Sequence, residues 1–217
     1  VAFRKQIDMD LSDIRRNYGK NRLDADGVDT DPLRQLALWL AEAENADCEE
    51  HSAMILSTVG TDGQPSSRVV LLKFLTDESL VFFTNYSSRK GQEISLNPKV
   101  SACFFWPSLE RQVRVEGQVS KTDVKISDQY FSSRPYESRV SAVISPQSDE
   151  IPDRKFLDDQ RKHLLESGEP LIRPENWGGY MLNPSYFEFW QGGPHRLHDR
   201  IVYRLCSGVW ETARLAP

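Results

Sequence analysis

Apolar positions along this chain change period near residue 50. Behind Asp31-Pro32, Leu33, Leu36, Ala37 and Leu40 recur at helical spacing. Asp suits an N-cap and Pro a first turn, so a helix is predicted over 32–46. From Ala53 the pattern turns to short apolar or alternating runs. Strands are predicted at Ala53–Val59, Arg68–Leu75, Leu80–Asn85, Val100–Trp106 and Gln112–Ser120, with turn chemistry such as Thr61-Asp62-Gly63-Gln64-Pro65 between them. Ser87 or Ser88 can cap a short helix carrying Arg89 and Lys90. Asp123–Phe131, Tyr136–Val143 and Asp153–Ser167 read as helices, with Pro135 a break and Gly168 a stop. Trp177–Leu182, Tyr186–Trp190, Ile201–Leu205 and Val209–Ala213 complete the strands.

About eight or nine short strands separated by turns predict a closed or nearly closed barrel, mainly β with flanking helices (α+β). Strands and helices do not alternate and no G-x-G-x-x-G occurs, which argues against a doubly wound sheet. Residues 1–30 are charged and weakly periodic, and read as a mobile arm ahead of a single domain at 31–217.

Composition narrows the classes. At 217 residues the chain can bury a core of its own. Its 27 basic and 32 acidic residues give a net charge of −5, which speaks against a broad nucleic-acid footprint. Basic clusters must then be local anion sites. Cys48, Cys103 and Cys206 form no C-x-x-C unit, so free thiols in a reducing, cytoplasmic setting are expected. No apolar run approaches membrane-spanning length, and neither a span nor a secretory signal is expected.

The densest chemistry lies at Glu188–Arg200, where Trp190, His195, Arg196, His198, Asp199 and Arg200 crowd around two glycines and a proline. Arginine forks bind anions bidentately, an indole offers a flat face, and histidine titrates near neutrality. The set suits a planar, anionic, aromatic ligand. It equally suits a solvated strand with an ion pair, and the histidines with Asp199 could ligate a metal, although on a strand they would face opposite ways. A regular strand would also put Arg196 and Arg200 on one side.

Three further groups of residues can bind anions. Arg68 and Lys73 bracket an apolar strand and would leave opposite faces of it. Phe83-Thr84 leads into the Ser88-Arg89-Lys90 helix start, where free N–H groups and the dipole favour an anion. Tyr130, Arg134 and Ser138 place a phenol, a guanidinium and a hydroxyl at a helix end. Each has a bland reading as a solvated strand end or first turn. Together they imply two phosphorylated ligands, a cofactor and a substrate.

In order along the chain stand R-V-V-L-L-K (68–73), F-F-T-N (82–85), S-R-K (88–90), E-R-Q-V (110–113), Y-F-x-S-R-P (130–135), Q-S (147–148), W-G-G (177–179), F-W-Q-G (189–192), R-L-H-D-R (196–200) and R-L-A-P (214–217). This ordered set resembles the pyridoxine (pyridoxamine) 5′-phosphate oxidase family, flavoenzymes of the split-barrel type. The resemblance implies FMN held by Arg68, Val69, Val70, Leu71, Leu72, Lys73, Phe83, Thr84, Arg89, Lys90, Gln112, Gln147, Ser148, Trp190 and Arg200. It implies that pyridoxine or pyridoxamine 5′-phosphate meets Lys73, Tyr130, Arg134 and Ser138 at its phosphate, and Arg196, Leu197 and His198 at its ring. Arg196 and His198 would be the catalytic pair. Arg15, Arg16, Asn17 and Tyr18 match a segment that closes over substrate. The implied reaction moves a hydride from the substrate's 4′ carbon to the flavin and two electrons onward to O2, leaving pyridoxal 5′-phosphate and hydrogen peroxide. A homodimer with FMN at its interface is implied, with no membrane or nucleic-acid partner.

The chain departs from the family pattern at Ser141, where glycine is usual, and around Gln147, where Pro146 and Asp149 stand. A non-catalytic flavin or pyridoxal-phosphate carrier and a nicotinamide-dependent flavin reductase are the rival classes. The carrier need not keep Tyr130, Arg134, Arg196 and His198, all present here, and peroxide formation from pyridoxine phosphate without nicotinamide separates all three classes.

Overall fold

A computed structural model describes Ser12, Asp13 and residues 17–217; Arg15 and Arg16 lie outside the described residues. Helix α1 (Pro32–Asn45) starts as the sequence predicts, with the Asp31 carboxylate accepting the Leu33 N–H at 2.8 Å. Strands β1 (Ala53–Val59), β2 (Pro65–Leu71), β3 (Phe74–Leu75) and β4 (Leu80–Asn85) follow. Next come α2 (Arg89–Leu96), β5 (Lys99–Trp106), β6 (Arg111–Lys121), α3 (Val124–Ser133), α4 (Tyr136–Ile144) and α5 (Arg154–Ser167). Strands β7 (Trp177–Gln191), β8 (Asp199–Cys206) and β9 (Val209–Leu215) close the chain.

All pairings are antiparallel, in the order β2-β1-β5-β6-β7-β4-β3, with β8 and β9 branching from β7. The branch is possible because β7 is long. Its first half pairs with β4 and its second with β8, while β6 runs beside both. The sheet therefore curls into a split barrel flanked by helices. Its inner face packs Leu56, Phe82, Phe104, Val113, Phe187 and Phe189, all with no exposed surface. Trp39 of α1 meets Phe189 edge-on at 5.1 Å and closes one end of this core.

Three local expectations need correction. Arg68–Leu75 is not one strand: the pairing stops after Leu71, Leu72 turns into the core, and Lys73 is exposed. Trp177–Leu182 and Tyr186–Trp190 are not two strands: Pro184 lies opposite a bulge at Glu116/Gly117, and the ladder continues past it. A Cβ at Gly117 would come within 2.1 Å of the Asn183 carbonyl oxygen, so the close approach there requires glycine. Arg196 is not on a strand: Pro194–Arg196 is a 3₁₀ turn with His195 and Arg196 at positive φ (55° and 62°), and β8 begins only at Asp199.

Much of residues 17–30 is tied to the body. Leu23 is buried and donates its N–H to Asp199 at 3.0 Å, and Tyr203 donates to the Asp29 carbonyl at 2.6 Å. Among the described residues no helix is long and apolar enough to cross a membrane.

Candidate functional site

A cleft of about 620 Å³ opens where β2, β4, the start of α2, the end of α3 and the Gln147 loop converge. The predicted residues Arg68, Val69, Val70, Leu71, Lys73, Phe83, Thr84, Arg89, Lys90, Tyr130, Arg134, Gln147 and Ser148 all line it. Leu72 faces the core instead, and Ser138 is half-buried on α4, away from the cleft lining. The fold explains the convergence. Ser88 caps α2 by accepting the Gly91 N–H, which sets Arg89 and Lys90 in its first turn. A Cβ at Gly91 would lie 2.1 Å from the Tyr86 carbonyl oxygen, so glycine lets α2 start tight against the end of β4.

Two cations at the cleft, Lys90 and Arg134, have no carboxylate partner among the described ion pairs, whereas Arg68 and Arg89 pair with Glu93. Lys90 is buried and donates to Thr84 Oγ1 (3.1 Å), Ser88 Oγ (3.1 Å) and Gln147 Oε1 (3.0 Å), all uncharged. Burial, with Arg68 nearby, pulls its ammonium from 10.5 down to about 8. Arg134 lies over the Trp177 ring at 4.7 Å, and its Nη1 is buried without a hydrogen-bond partner. Burial lowers the Arg134 pKa as well. Buried donors and charges without partners are costly, so both fit a site built for an incoming anion. Arg68 donates to Thr58 Oγ1 (2.6 Å) and the Leu56 carbonyl (3.2 Å) from its Nη1, and to Ser66 from its Nη2. Phe83 and Tyr130 stack at 3.9 Å beside Trp177, an apolar wall for a planar ring.

A second cluster lies elsewhere. Gln112, Trp190, Arg196, His198 and Arg200 are absent from the cleft lining. Register places Gln112 opposite Trp190 and Trp190 opposite Arg200, so three predicted flavin residues form one row across β6, β7 and β8. Arg200 is fixed by Glu188, Nε to Oε1 at 2.8 Å. Glu188 is buried. Burial raises its carboxyl, but Arg200 and Arg114 outweigh that and hold it below the usual range. His198 packs on Trp190 at 4.7 Å, and its Nδ1 accepts the Gly193 N–H at 3.2 Å. Burial, then Arg196, lowers its pKa, so the ring is neutral at pH 7 with its proton on Nε2. Tyr18 stands edge-on to both Trp190 and His198 at 5.8 Å. Its strap is pinned by Glu110, which accepts the Gly19 and Lys20 N–H groups at 2.9 and 3.1 Å. Asn17 is exposed beside it, as are Arg196 and Leu197 on their turn.

Sequence reasoning missed Ser66 and Trp177 in the cleft, and the carboxylates Glu93, Glu110 and Glu188 that anchor cationic or backbone groups. Glu93 had a local signal in its place four residues after Arg89 on a helix, while Glu110, Trp177 and Glu188 stand within the motif runs but were given no role.

Residues 40–165 match the family described as "Pyridoxamine 5'-phosphate oxidase", and residues 177–217 match "Pyridoxine 5'-phosphate oxidase C-terminal dimerisation region". A pyridoxine/pyridoxamine 5′-phosphate oxidase of Legionella pneumophila (strain Lens) is 48% identical over 209 residues, covering 95% of this chain and 97% of that one. The protein of the same name from Actinobacillus succinogenes is 50% identical over 211 residues, covering 96% and 100%. Among solved structures, PhzG from Burkholderia lata, in complex with tetrahydrophenazine-1-carboxylic acid, superposes with a TM-score of 0.85 at 33% identity, covering 88% of this chain and 95% of that one. An FMN-binding protein from Nostoc punctiforme shares the fold, with a TM-score of 0.69 at 18% identity over 86% of this chain and 97% of its own.

Proposed function

Because the chain belongs to the pyridoxamine 5′-phosphate oxidase family, we infer that it oxidises pyridoxine and pyridoxamine 5′-phosphates to pyridoxal 5′-phosphate, with FMN as cofactor and O2 as electron acceptor. One observation within the chain carries the reading furthest: buried Lys90 and half-buried Arg134, whose Nη1 is buried without a hydrogen-bond partner, have no carboxylate partner among the described residues and face one cleft.

Arg68, Arg89 and Lys90 hold the FMN phosphate. Val69 to Leu71, Phe83, Thr84, Gln147 and Ser148 line the path of the flavin. When bound, FMN would supply the two-electron redox chemistry between the substrate's 4′ carbon and O2, with hydrogen peroxide as the expected reduced product. Lys73, Tyr130 and Arg134 grip the substrate phosphate. Two anchored phosphates limit the freedom of both rings, and such positioning supplies much of a rate. Arg196 and His198 orient the pyridine ring, and neutral His198 offers its Nε2 proton to a ring substituent. Tyr18, with Asn17 beside it and Arg15 and Arg16 before it, covers the substrate.

No residue of the second cluster lines this chain's cleft, and the match to a dimerisation region adds to that, so a homodimer in which a second copy supplies the cluster is the reading both support. The outer face of β2, β1 and β5 exposes Val69 (61%), Ile55 (43%) and Phe105 (51%), an apolar patch that such a copy would cover. The three free cysteines accord with the reducing cytoplasm proposed as its location.

The test is to supply purified protein with pyridoxine 5′-phosphate and no nicotinamide, and to follow aldehyde and peroxide. Both should appear in equal amounts, and the released cofactor should chromatograph as FMN. Turnover that requires a nicotinamide donor, or recovery of FAD, defeats the reading.

A further inference from the structure

A buried carboxylate lies behind the cationic wall of the cleft, outside its lining. Glu93 sits one turn beyond Arg89 on α2 and is 6% exposed. Its Oε1 accepts Arg89 Nε at 2.8 Å. Its Oε2 accepts the Ser66 hydroxyl at 2.6 Å, the Thr58 hydroxyl, and Arg68 Nη2 at 3.4 Å. Thr58 and Ser66 also accept from Arg68, so hydroxyls and carboxylate form one closed network behind two guanidiniums that come from different elements.

By charge alone this is the wrong residue for an anion site, since a negative group beside a bound phosphate repels it. Its geometry is favourable. Arg68 leaves a strand and Arg89 a helix start, and neither side chain has another carboxylate partner among the described ion pairs. A free arginine side chain loses considerable rotamer entropy on being ordered, and preorganisation removes that cost from binding. Burial pushes the Glu93 carboxyl up, but the hydrogen bonds from Ser66, Thr58 and Arg89 outweigh it and hold the group at about 2. It is therefore an anion at every working pH.

We propose that Glu93 is a positioning residue for the cofactor phosphate: it fixes the Arg68 and Arg89 side chains so that both are ordered at the cleft before the ligand arrives. This role rests on the flavin reading of the cleft.

The test compares FMN with riboflavin, which lacks the phosphate, on apoprotein of the wild type and of Glu93→Gln, by flavin fluorescence titration. Glutamine keeps the shape and removes the charge that orders the forks. Loss of charge-assisted hydrogen bonds predicts FMN binding weaker by roughly ten- to a hundredfold, with riboflavin within about twofold of wild type. Unchanged or tighter FMN binding overturns the proposal, because repulsion would then be all that Glu93 contributes. Equal losses for both ligands also overturn it, since they signal a general packing role. Ser66→Ala removes one hydroxyl from the network with no change of charge, and should show the same FMN-selective loss at about fivefold. It carries the test if Glu93→Gln does not fold. A wild type that binds neither ligand overturns the flavin reading itself, and this role with it.

Discussion

The contrast between Lys90 and Glu93 shows how burial acts on single residues. Both are buried within one cluster, yet Lys90 is surrounded by neutral acceptors and Glu93 by donors. The depressed Lys90 pKa, about 8 against 10.5 unfolded, has opposite consequences for stability and for ligand binding. Between these values the unfolded chain binds the extra proton, so for this group alone the apoprotein gains stability as pH rises from 8 and loses it as pH falls through 8. A bound phosphate favours the charged amine. Below pH 8 the ammonium is already formed and affinity is flat in this group. Above it, binding must take up a proton, and FMN affinity falls by up to about tenfold per pH unit. Glu93 is ionised throughout this window. Titrations of apoprotein with FMN between pH 7 and 9.5 should show the decline, and Lys90→Met should bind more weakly at pH 7 and lose the slope. A Lys90→Met protein that keeps the wild-type slope would assign the titration to another group.

Among the elements, those announced by local chemistry were legible. Asp31, Ser88, Asp123 and Asp153 each cap the helix their position suggests, accepting an N–H of its first turn. What stayed hidden depends on partners distant in sequence. Asn183-Pro184-Ser185 reads as a turn, but the Gly117 bulge across the ladder absorbs the proline and β7 runs on. Likewise Arg196 to Arg200 has the polar density of a strand, but two left-handed residues make a turn before it. That difference separates the two arginines by element. Arg196 is exposed on the turn, while Arg200 is half-buried in β8 and bound to buried Glu188. Arg196→Ala should lower kcat/KM for pyridoxine 5′-phosphate by about ten- to a hundredfold, the usual result of losing a charged hydrogen bond to substrate. Flavin retention should hold. Arg200→Ala takes a cation from the Trp190 row and leaves Glu188 with one arginine fewer, so flavin should dissociate faster. Stopped-flow turnover and flavin release on both variants check this. If Arg196→Ala sheds flavin yet turns over normally at saturating FMN, the division of labour is wrong.

At the scale of the whole molecule, the two clusters raise a problem that one chain does not solve. The cation-lined cleft and the Trp190 row both carry residues of one proposed site, yet no residue of that row lines the cleft. Both belong to outward-facing parts of one curled sheet: cross-strand pairing links Val69 to Ile55 and Ile55 to Cys103, and Cys103 to Arg114 beside Gln112. An isologous pairing through this face would cover the exposed Ile55, Val69 and Phe105 and bring each chain's row to its partner's cleft. Ile55→Asp tests this with little disturbance of the single chain, because the side chain is 43% exposed there. In a dimer the same position is desolvated. An unpaired carboxylate buried at each copy would cost several kcal/mol per ion, on top of about 1.5–3 kcal/mol for each lost isoleucine contact. Sedimentation at micromolar concentration should therefore give the mass of one chain, where the wild type gives about twice it. Far-UV circular dichroism should stay as in the wild type, while FMN binds at least about tenfold more weakly, because Gln112, Trp190 and Arg200 no longer reach the opposing cleft. A folded monomer that keeps wild-type FMN affinity would mean that one chain completes the site, and a dimer that survives the substitution would move the interface to another face.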